Sequence, residues 1–485
     1  MRLDEIKHVH IIGICGTLMG AFAAYLKRAG IHVTGSDQNV YPPMSDVLTD
    51  AGVKLFPGYR AENVTGMNPK PDLVVIGNVI STGNPEARAA IDGGYRYTSL
   101  PEAMETLMLQ KTRNLVVAGT HGKTTTSSML AHVLHECGKN PSWFIGGVSQ
   151  DLPYSFHVSS VDAGQPFVLE GDEYDTAFWD KVPKFNHYLP TDVILTSVEY
   201  DHADIYPDFP AVVRAFEGLM KRISSAGRLV ACLDYAVIRD LAKLVKVPVL
   251  TYASDPSSGA RFTPANIRVE NEQTRFEVHE SIPGSMRKVE ELALGVSGNH
   301  NVMNALSVWI EACELGLPKE QVKRALASFK GVKRRQEVRG EVNGVLIIDD
   351  FAHHPTAVRE TLKAFRLRYP RRRIIAVFEP RSATSRRKIF QKDYVDAFAS
   401  ADACFISTPY DQTKIAASDQ FSSEQLVGDL AARGVLTQIM PSVDEGVIQV
   451  SKFTRPDDLV AVLSNGGFGG FISKLLESLK SRNTA

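Results

Sequence analysis

Lys123 lies in a glycine turn followed by three threonines, in LVVAGTHGKTTTSSML (residues 115–130). That is the chemistry of a phosphate cradle. Backbone N–H groups at a helix start, the positive end of its dipole and a lysine all attract phosphate oxygens. The usual P-loop spacing is glycine, four residues, then Gly-Lys-Ser/Thr. Here Val117 occupies the first glycine position, and only Gly119 is available, so the loop reads GxxGKT. In this reading Lys123 reaches terminal phosphates and the Thr124 hydroxyl faces Mg²⁺. Two acidic clusters follow strand-like runs: Glu170, Asp172 and Glu173 in FVLEGDEYD, and Glu199, Asp201, His202 and Asp204 in SVEYDHADIY. Mg²⁺ takes hard oxygen ligands, typically one or two carboxylates plus phosphates. A lone histidine such as His202 is more often structural than a ligand.

A second glycine turn, GICGTLMG, follows the strand-like HVHIIG, and Asp37 ends the next strand. A dinucleotide reading puts Asp37 on a ribose, but Cys15 and Leu18 stand where GxGxxG needs glycine. Gly13, Gly16 and Gly20 still permit a tight turn and close approach to a diphosphate, such as that of a UDP-sugar. Simple helix–sheet packing is the bland alternative.

The elements that position these residues are apolar strands alternating with helical patterns, which predicts an α/β protein with mainly parallel sheets. Three domains are expected: a Rossmann-like domain over 1–110, a central P-loop ATP-binding domain over 111–330 and a second Rossmann-like domain over 331–485. The polar stretch GVKRRQEVRG is the expected hinge. With 54 Lys+Arg against 55 Asp+Glu, the formal net charge of −1 gives no electrostatic footprint for nucleic acid or an anionic membrane. Five scattered cysteines with no CxxC pair argue against a disulfide framework or a zinc site. No apolar run reaches 18 residues and no signal peptide is recognisable, so a cytoplasmic protein without a membrane span is expected.

Taken in order, GTHGKTTT, EGDEYD, VEYDHADIY, SGNHNVMNALS and DDFAHHPTAV resemble the ATP-dependent Mur ligase family of peptidoglycan synthesis, across essentially the whole chain. The shortened loop is that family's form. The resemblance implies ATP and Mg²⁺, an amide-forming ligase, and three domains that hold the UDP-sugar, the ATP and the incoming amine. For the sugar nucleotide it implies Gly13, Gly16, Thr17 and Met19 at the diphosphate, Ser36 and Asp37 near the ribose or uracil, and Ser81 and Asn84 closing over it. For ATP it implies the loop Gly119, Thr120, His121, Gly122, Lys123, Thr124 and Thr125, with Asn301 and Asn304 on the adenine side. Arg335 and Asp350 would reach ATP from the third domain. Glu173 would bridge magnesium ions and His202 would serve a second one. Many members carry a carbamoylated lysine after the DH motif; here Phe216 occupies that place, the pattern of members acting directly on UDP-N-acetylmuramate.

The stretches GICGTLMG, YPPMSDVL, FAHHPTAV, FEPRS and SNGGFGG most resemble the branch that joins UDP-N-acetylmuramate to the murein tripeptide L-alanyl-γ-D-glutamyl-meso-diaminopimelate in cell-wall recycling. The branch that adds L-alanine is the alternative. In the third domain His353 and His354 are expected to shape the cleft, without acidic or cysteine companions to make a metal site. Arg381, with Ser382, could grip a peptide carboxylate bidentately, and Asn465, Gly466 and Gly467 could offer backbone donors. Two other classes compete. An oxidoreductase leaves Lys123 idle, and a nucleotide-switched binding protein would not consume ATP in response to both sugar nucleotide and peptide.

Overall fold

The computed structural model describes residues 5–40 and 44–482. Residues 41–43 of the YPPMSDVL stretch lie outside the described residues. The strands form three separate sheets. The first holds β1 (His8–Ile12), β2 (His32–Asp37), β3 (Lys54–Pro57), β4 (Leu73–Ile76) and β5 (Tyr97–Thr98), all parallel in the order β3-β2-β1-β4-β5. β1 is buried along its whole length, as a strand covered on both faces must be. The order reverses beside β1, so a crevice opens beyond its carboxyl end, where the Gly13 turn lies.

The second sheet holds β6 (Arg113–Ala118), β7 (Ser142–Phe144), β8 (Phe156–His157), β9 (Pro166–Gly171), β10 (Asp192–Leu195), β11 (Arg228–Cys232), β12 (Val249–Tyr252), β13 (Phe262–Glu270), β14 (Gln273–Ile282) and β15 (Ser285–Leu294). Its order is β15-β14-β13-β12-β11-β10-β6-β9-β7-β8. β6 runs parallel between β10 and β9, so the lysine loop and both acidic clusters leave the sheet at one edge. The antiparallel meander β13 to β15 was not expected. Its buried face carries Phe276, Val278, Leu292 and Leu294, while Arg268 pairs with Glu291 at 2.7 Å and Lys288 with Glu277 at 2.7 Å on the other.

The third sheet holds β16 (Glu337–Val342), β17 (Val345–Asp350), β18 (Arg373–Phe378), β19 (Ala403–Ser407), β20 (Leu436–Met440) and β21 (Asp458–Leu463), in the order β16-β17-β21-β18-β19-β20. All pairs are parallel except β16 with β17. The expected hinge GVKRRQEVRG runs into β16, so only its residues 331–336, after the helix Lys319–Ser328, lie outside a strand. Arg334 and Gln336 there are left-handed, at φ 60° and 52°. Asp350 is in register with Leu463 and Phe378 with Leu463, so the stretches after β17, β21 and β18 converge. Among the described residues no helix is long and apolar enough to cross a membrane, and all five cysteines are free.

One buried charge under the second sheet gives a test of its packing. Glu311, fully buried on the helix Asn299–Glu314, meets Arg228 at 3.2 Å. Burial raises its carboxyl above the usual range and nearby Asp192 adds to this, against Arg228 and Arg113. A carboxyl that holds its proton longer in the folded state than in the unfolded chain loses stability as pH climbs between those two values. Glu311→Gln should flatten that loss, so thermal unfolding at pH 5 and 8 should show the variant gaining on the wild type at the higher pH.

Candidate active site

β6 ends at Ala118, and the chain turns through Gly119 and Gly122 into the helix Lys123–Glu136. Both glycines are left-handed, at φ +140° and +80°. A Cβ on Gly122 would lie 2.7 Å from Asn304 Oδ1, so that asparagine lies against the loop. Gly122 caps the helix with no side-chain bond, which leaves its first N–H groups for an anion.

The residues after β10 hold this loop from the other side. His121 N donates to Ser197 Oγ at 2.8 Å, Thr196 Oγ1 donates to the His121 carbonyl at 2.6 Å, and Glu199 N donates to Thr120 Oγ1 at 2.8 Å. Sequence reading missed Thr196 and Ser197 as loop supports; two hydroxyls directly after an apolar strand were the available signal. It also left Gly146 unnoticed, whose N–H donates to Glu170 at 2.6 Å.

Lys123, Glu173 and His202 are brought together as expected. Lys123 Nζ lies 2.6 Å from Glu173 Oε2 and donates to the Gly119 carbonyl at 2.7 Å. His202 Nε2 lies 3.0 Å from Glu173 Oε1. Burial alone would raise the Glu173 carboxyl, but Lys123 and His202 outweigh it and hold it well below the usual range. Burial opposes the charge on His202 too, yet Glu173 lifts its imidazole to about 9. His202 adopts φ 56°, a strained conformation costing about 1–3 kcal/mol for a non-glycine residue, and its N–H is held by Asp201 Oδ1 at 2.7 Å. Thr124 Oγ1 donates to Glu170 Oε1 at 2.6 Å, which adds Glu170 to the donor set. Three hard oxygens beside a lysine and a free helix start fit a magnesium–triphosphate.

Asn301 and Asn304 are buried, with Asn301 donating to the Ser297 carbonyl at 2.8 Å and Asn304 to Asn301 at 3.2 Å. Thr125 follows in the first turn of the loop's helix.

The third domain reaches this centre directly. Thr356 Oγ1 donates to Glu199 Oε1 at 3.0 Å, and the other oxygen of Glu199 lies 2.8 Å from His121 Nε2. Thr384 Oγ1 donates to Asp201 Oδ1 at 2.6 Å and accepts from Ala203 N at 3.2 Å. The expectation that the double histidine lacks acidic companions is corrected: His354, His121 and Glu199 bring ligand atoms within 4.8 Å of one another. The companions come from the second domain, so spacing along the chain could not reveal them. Burial drives His354 down to about 3, with His121 adding to the effect, so its ring is neutral. His353 Nε2 stands 3.7 Å from Asp201.

Arg335 lies over the Phe351 ring at 4.8 Å, and Asp350 accepts from Gln336 N and Ala352 N, each at 2.8 Å. Asp350 thus fastens the connector to the end of β17. Arg381 stacks on Tyr410 at 3.8 Å, and a Cβ on Gly466 would run into its side chain. Arg334 donates to the Gly466 carbonyl at 2.6 Å, and Asn465 keeps a buried, unpartnered Oδ1. The Ser382 hydroxyl donates to Ser385 Oγ at 2.9 Å and accepts from Ser385 N at 3.0 Å, so it also supports the turn.

In the first domain Gly13 is left-handed and its N–H donates to the Ser36 carbonyl at 2.8 Å. Asp37 accepts from Cys15 N at 2.9 Å and so pins the turn. Gly16 caps the helix Thr17–Arg28 with no side-chain bond, Thr17 is exposed and Met19 buried. Two of the residues expected at the sugar nucleotide have partners within the protein. Ser36 is fully buried and donates to Glu86 at 2.7 Å, while Asn84 Oδ1 accepts from Glu86 N and Ala87 N at 3.0 Å as a helix cap. Both therefore support the crevice from beneath; Ser81 is exposed at its edge.

Two glycine-started helices, a lysine paired to a carboxylate and a third domain leaning on the Glu199–Asp204 cluster define a class of nucleotide-dependent enzymes. Three family models match along the chain: Mur ligase family, catalytic domain (residues 8–112), Mur ligase middle domain (117–312) and Mur ligase, glutamate ligase domain (334–466). The chain belongs to the Mur ligase family. It is 37% identical over 479 residues to the UDP-N-acetylmuramate–L-alanyl-γ-D-glutamyl-meso-2,6-diaminoheptandioate ligase of Haemophilus influenzae, covering 98% of this chain and 100% of that one. It is 32% identical over 481 residues to the UDP-N-acetylmuramate–L-alanine ligase of Chlorobium phaeobacteroides, covering 98% of each. The crystal structure of a murein peptide ligase from Psychrobacter arcticus matches with a TM-score of 0.70 and 33% identity, over 98% of this chain and 99% of that one.

Proposed function

We infer that this chain is an ATP-dependent ligase joining the lactyl carboxylate of UDP-N-acetylmuramate to the L-alanyl amine of L-alanyl-γ-D-glutamyl-meso-diaminopimelate, so returning a murein tripeptide to peptidoglycan synthesis. The observation that carries the chemistry is the pairing of Lys123 with Glu173 in a glycine turn, at 2.6 Å. The tripeptide, rather than L-alanine, is favoured by the higher identity to the tripeptide ligase, 37% against 32%.

A carboxylate resists attack by an amine, so it must first be activated. The lactyl carboxylate takes the γ-phosphoryl group of ATP to form an acyl phosphate and ADP. The peptide amine then attacks the acyl carbon, and phosphate leaves. Lys123 exchanges Glu173 for the phosphate oxygens and meets the charge that spreads over them. Magnesium, held by Thr124, Glu173 and His202 with Glu170 nearby, would neutralise that charge further. His202, whose proton is held by its pairing with Glu173, would have to give that proton up to serve as a ligand. The contacts of Thr356 with Glu199 and of Thr384 with Asp201 hold the third domain over the centre, which keeps water from the acyl phosphate.

ADP release should require both UDP-N-acetylmuramate and the tripeptide. Equal turnover with L-alanine would move the chain to the other branch, and ADP release independent of the peptide would leave a nucleotide switch. Arg381→Ala should raise the KM for the peptide about tenfold or more and leave that for ATP unchanged. Gly466→Ala should do the same, because its methyl pushes the flexible guanidinium arm aside without touching the loop.

A further inference from the structure

A cavity of about 430 Å³ opens between the second and third domains, lined by Tyr200, Ala203, Pro207, Arg387, Lys388 and Asp419. Its floor is tied to the reaction centre. Ala203 directly follows His202, and Thr384 accepts from Ala203 N at 3.2 Å while its carbonyl accepts from Arg387 N at 3.0 Å. The cavity therefore begins one residue beyond the candidate metal ligand and runs outward.

Its charges are uncommitted. Among the described residues Arg387, Lys388 and Asp419 form no ion pair, and Arg387 Nε is buried with no hydrogen-bond partner. The Tyr200 hydroxyl, by contrast, is spent on the Tyr206 carbonyl at 2.9 Å. A buried guanidinium nitrogen without a partner is costly unless a ligand completes it. Two cations and one carboxylate that share a cavity but not a bond fit a ligand carrying both signs at one end.

We propose that this cavity is the subsite for the zwitterionic far end of the acceptor peptide's third residue. Arg387 and Lys388 take its carboxylate and Asp419 its ammonium. The inference rests on the function proposed above. An extended tripeptide spans roughly 10 Å, enough to carry its last side chain from the reacting amine beyond His202 into the cavity. Diaminopimelate ends in an ammonium and a carboxylate on one carbon; lysine ends in the ammonium alone. Arg387 is thereby the residue that tells them apart, since a site built around a charged group rejects the analogue that lacks it.

The test measures KM for the diaminopimelate tripeptide and the lysine tripeptide in the wild type and in Arg387→Ala, Arg387→Lys and Asp419→Asn, with KM for ATP as the check on folding. Arg387→Ala should raise KM for the diaminopimelate peptide roughly 10- to 100-fold and leave the lysine peptide nearly unchanged. Arg387→Lys should recover part of that discrimination. Asp419→Asn should weaken both peptides alike, because both carry the ammonium. An Arg387→Ala enzyme in which both peptides weaken equally, or neither does, overturns the subsite and leaves the proposed function standing. A wild type that releases no ADP with either peptide overturns both.

Discussion

Lys123→Met should lower kcat for ADP release by at least about 10³-fold, the scale on which a preorganised donor at a charge-developing oxygen acts. Methionine keeps the aliphatic stem and removes only the charge. Lys123 is half-buried, and although burial opposes its charge, Glu173 and Asp172 raise its ammonium, so it remains protonated across the working range. The substitution also leaves Glu173 with His202 as its sole charged partner. The nucleotide-free variant should therefore unfold at a lower temperature than the wild type, and added ATP should protect it less. A kcat within tenfold of the wild type would remove Lys123 from the chemistry.

Gly119→Ala should damage both the stability of the second domain and its phosphate loop. At φ +140° an L side chain is strained, and the new Cβ would meet Ser197 N and O at 2.8 Å and crowd Thr196 Oγ1. Two of those contacts are backbone atoms at the end of β10, which cannot swing away. A cost of about 3 kcal/mol is expected from the combined strain and overpacking. Thermal unfolding should register this without nucleotide, and KM for ATP should rise because the loop can no longer close over phosphate. Full stability with normal KM would mean that the loop relaxes freely.

The chemistry of the second domain was legible because it is local. A glycine turn, a lysine and hydroxyls sit together in the chain, and parallel strands on either side of β6 bring two acidic clusters to the same edge. The meander β13 to β15 was hidden because its solvent face is densely charged, with Arg268, Glu277, Lys288 and Glu291 breaking up the apolar signal. Partnerships across domains were likewise invisible. Nothing in HHPTAV reveals that His354 meets His121 and Glu199, and nothing in STGNPE distinguishes a helix cap at Asn84 from a ligand. Ser36 and Ser382 show the same limit, since a hydroxyl near a site can be spent on its own scaffold.

The rings of His354 and His121 meet at 4.6 Å between centres, tilted by 45°, which places a third-domain side chain against the phosphate loop itself. Such a contact acts as a turnstile. A triphosphate that can enter only while this contact is open would have to board first and the acceptor peptide last, and that order is the expected result. Initial-rate patterns should thus be sequential and ordered, and a random order would mean that the gate swings freely while loaded.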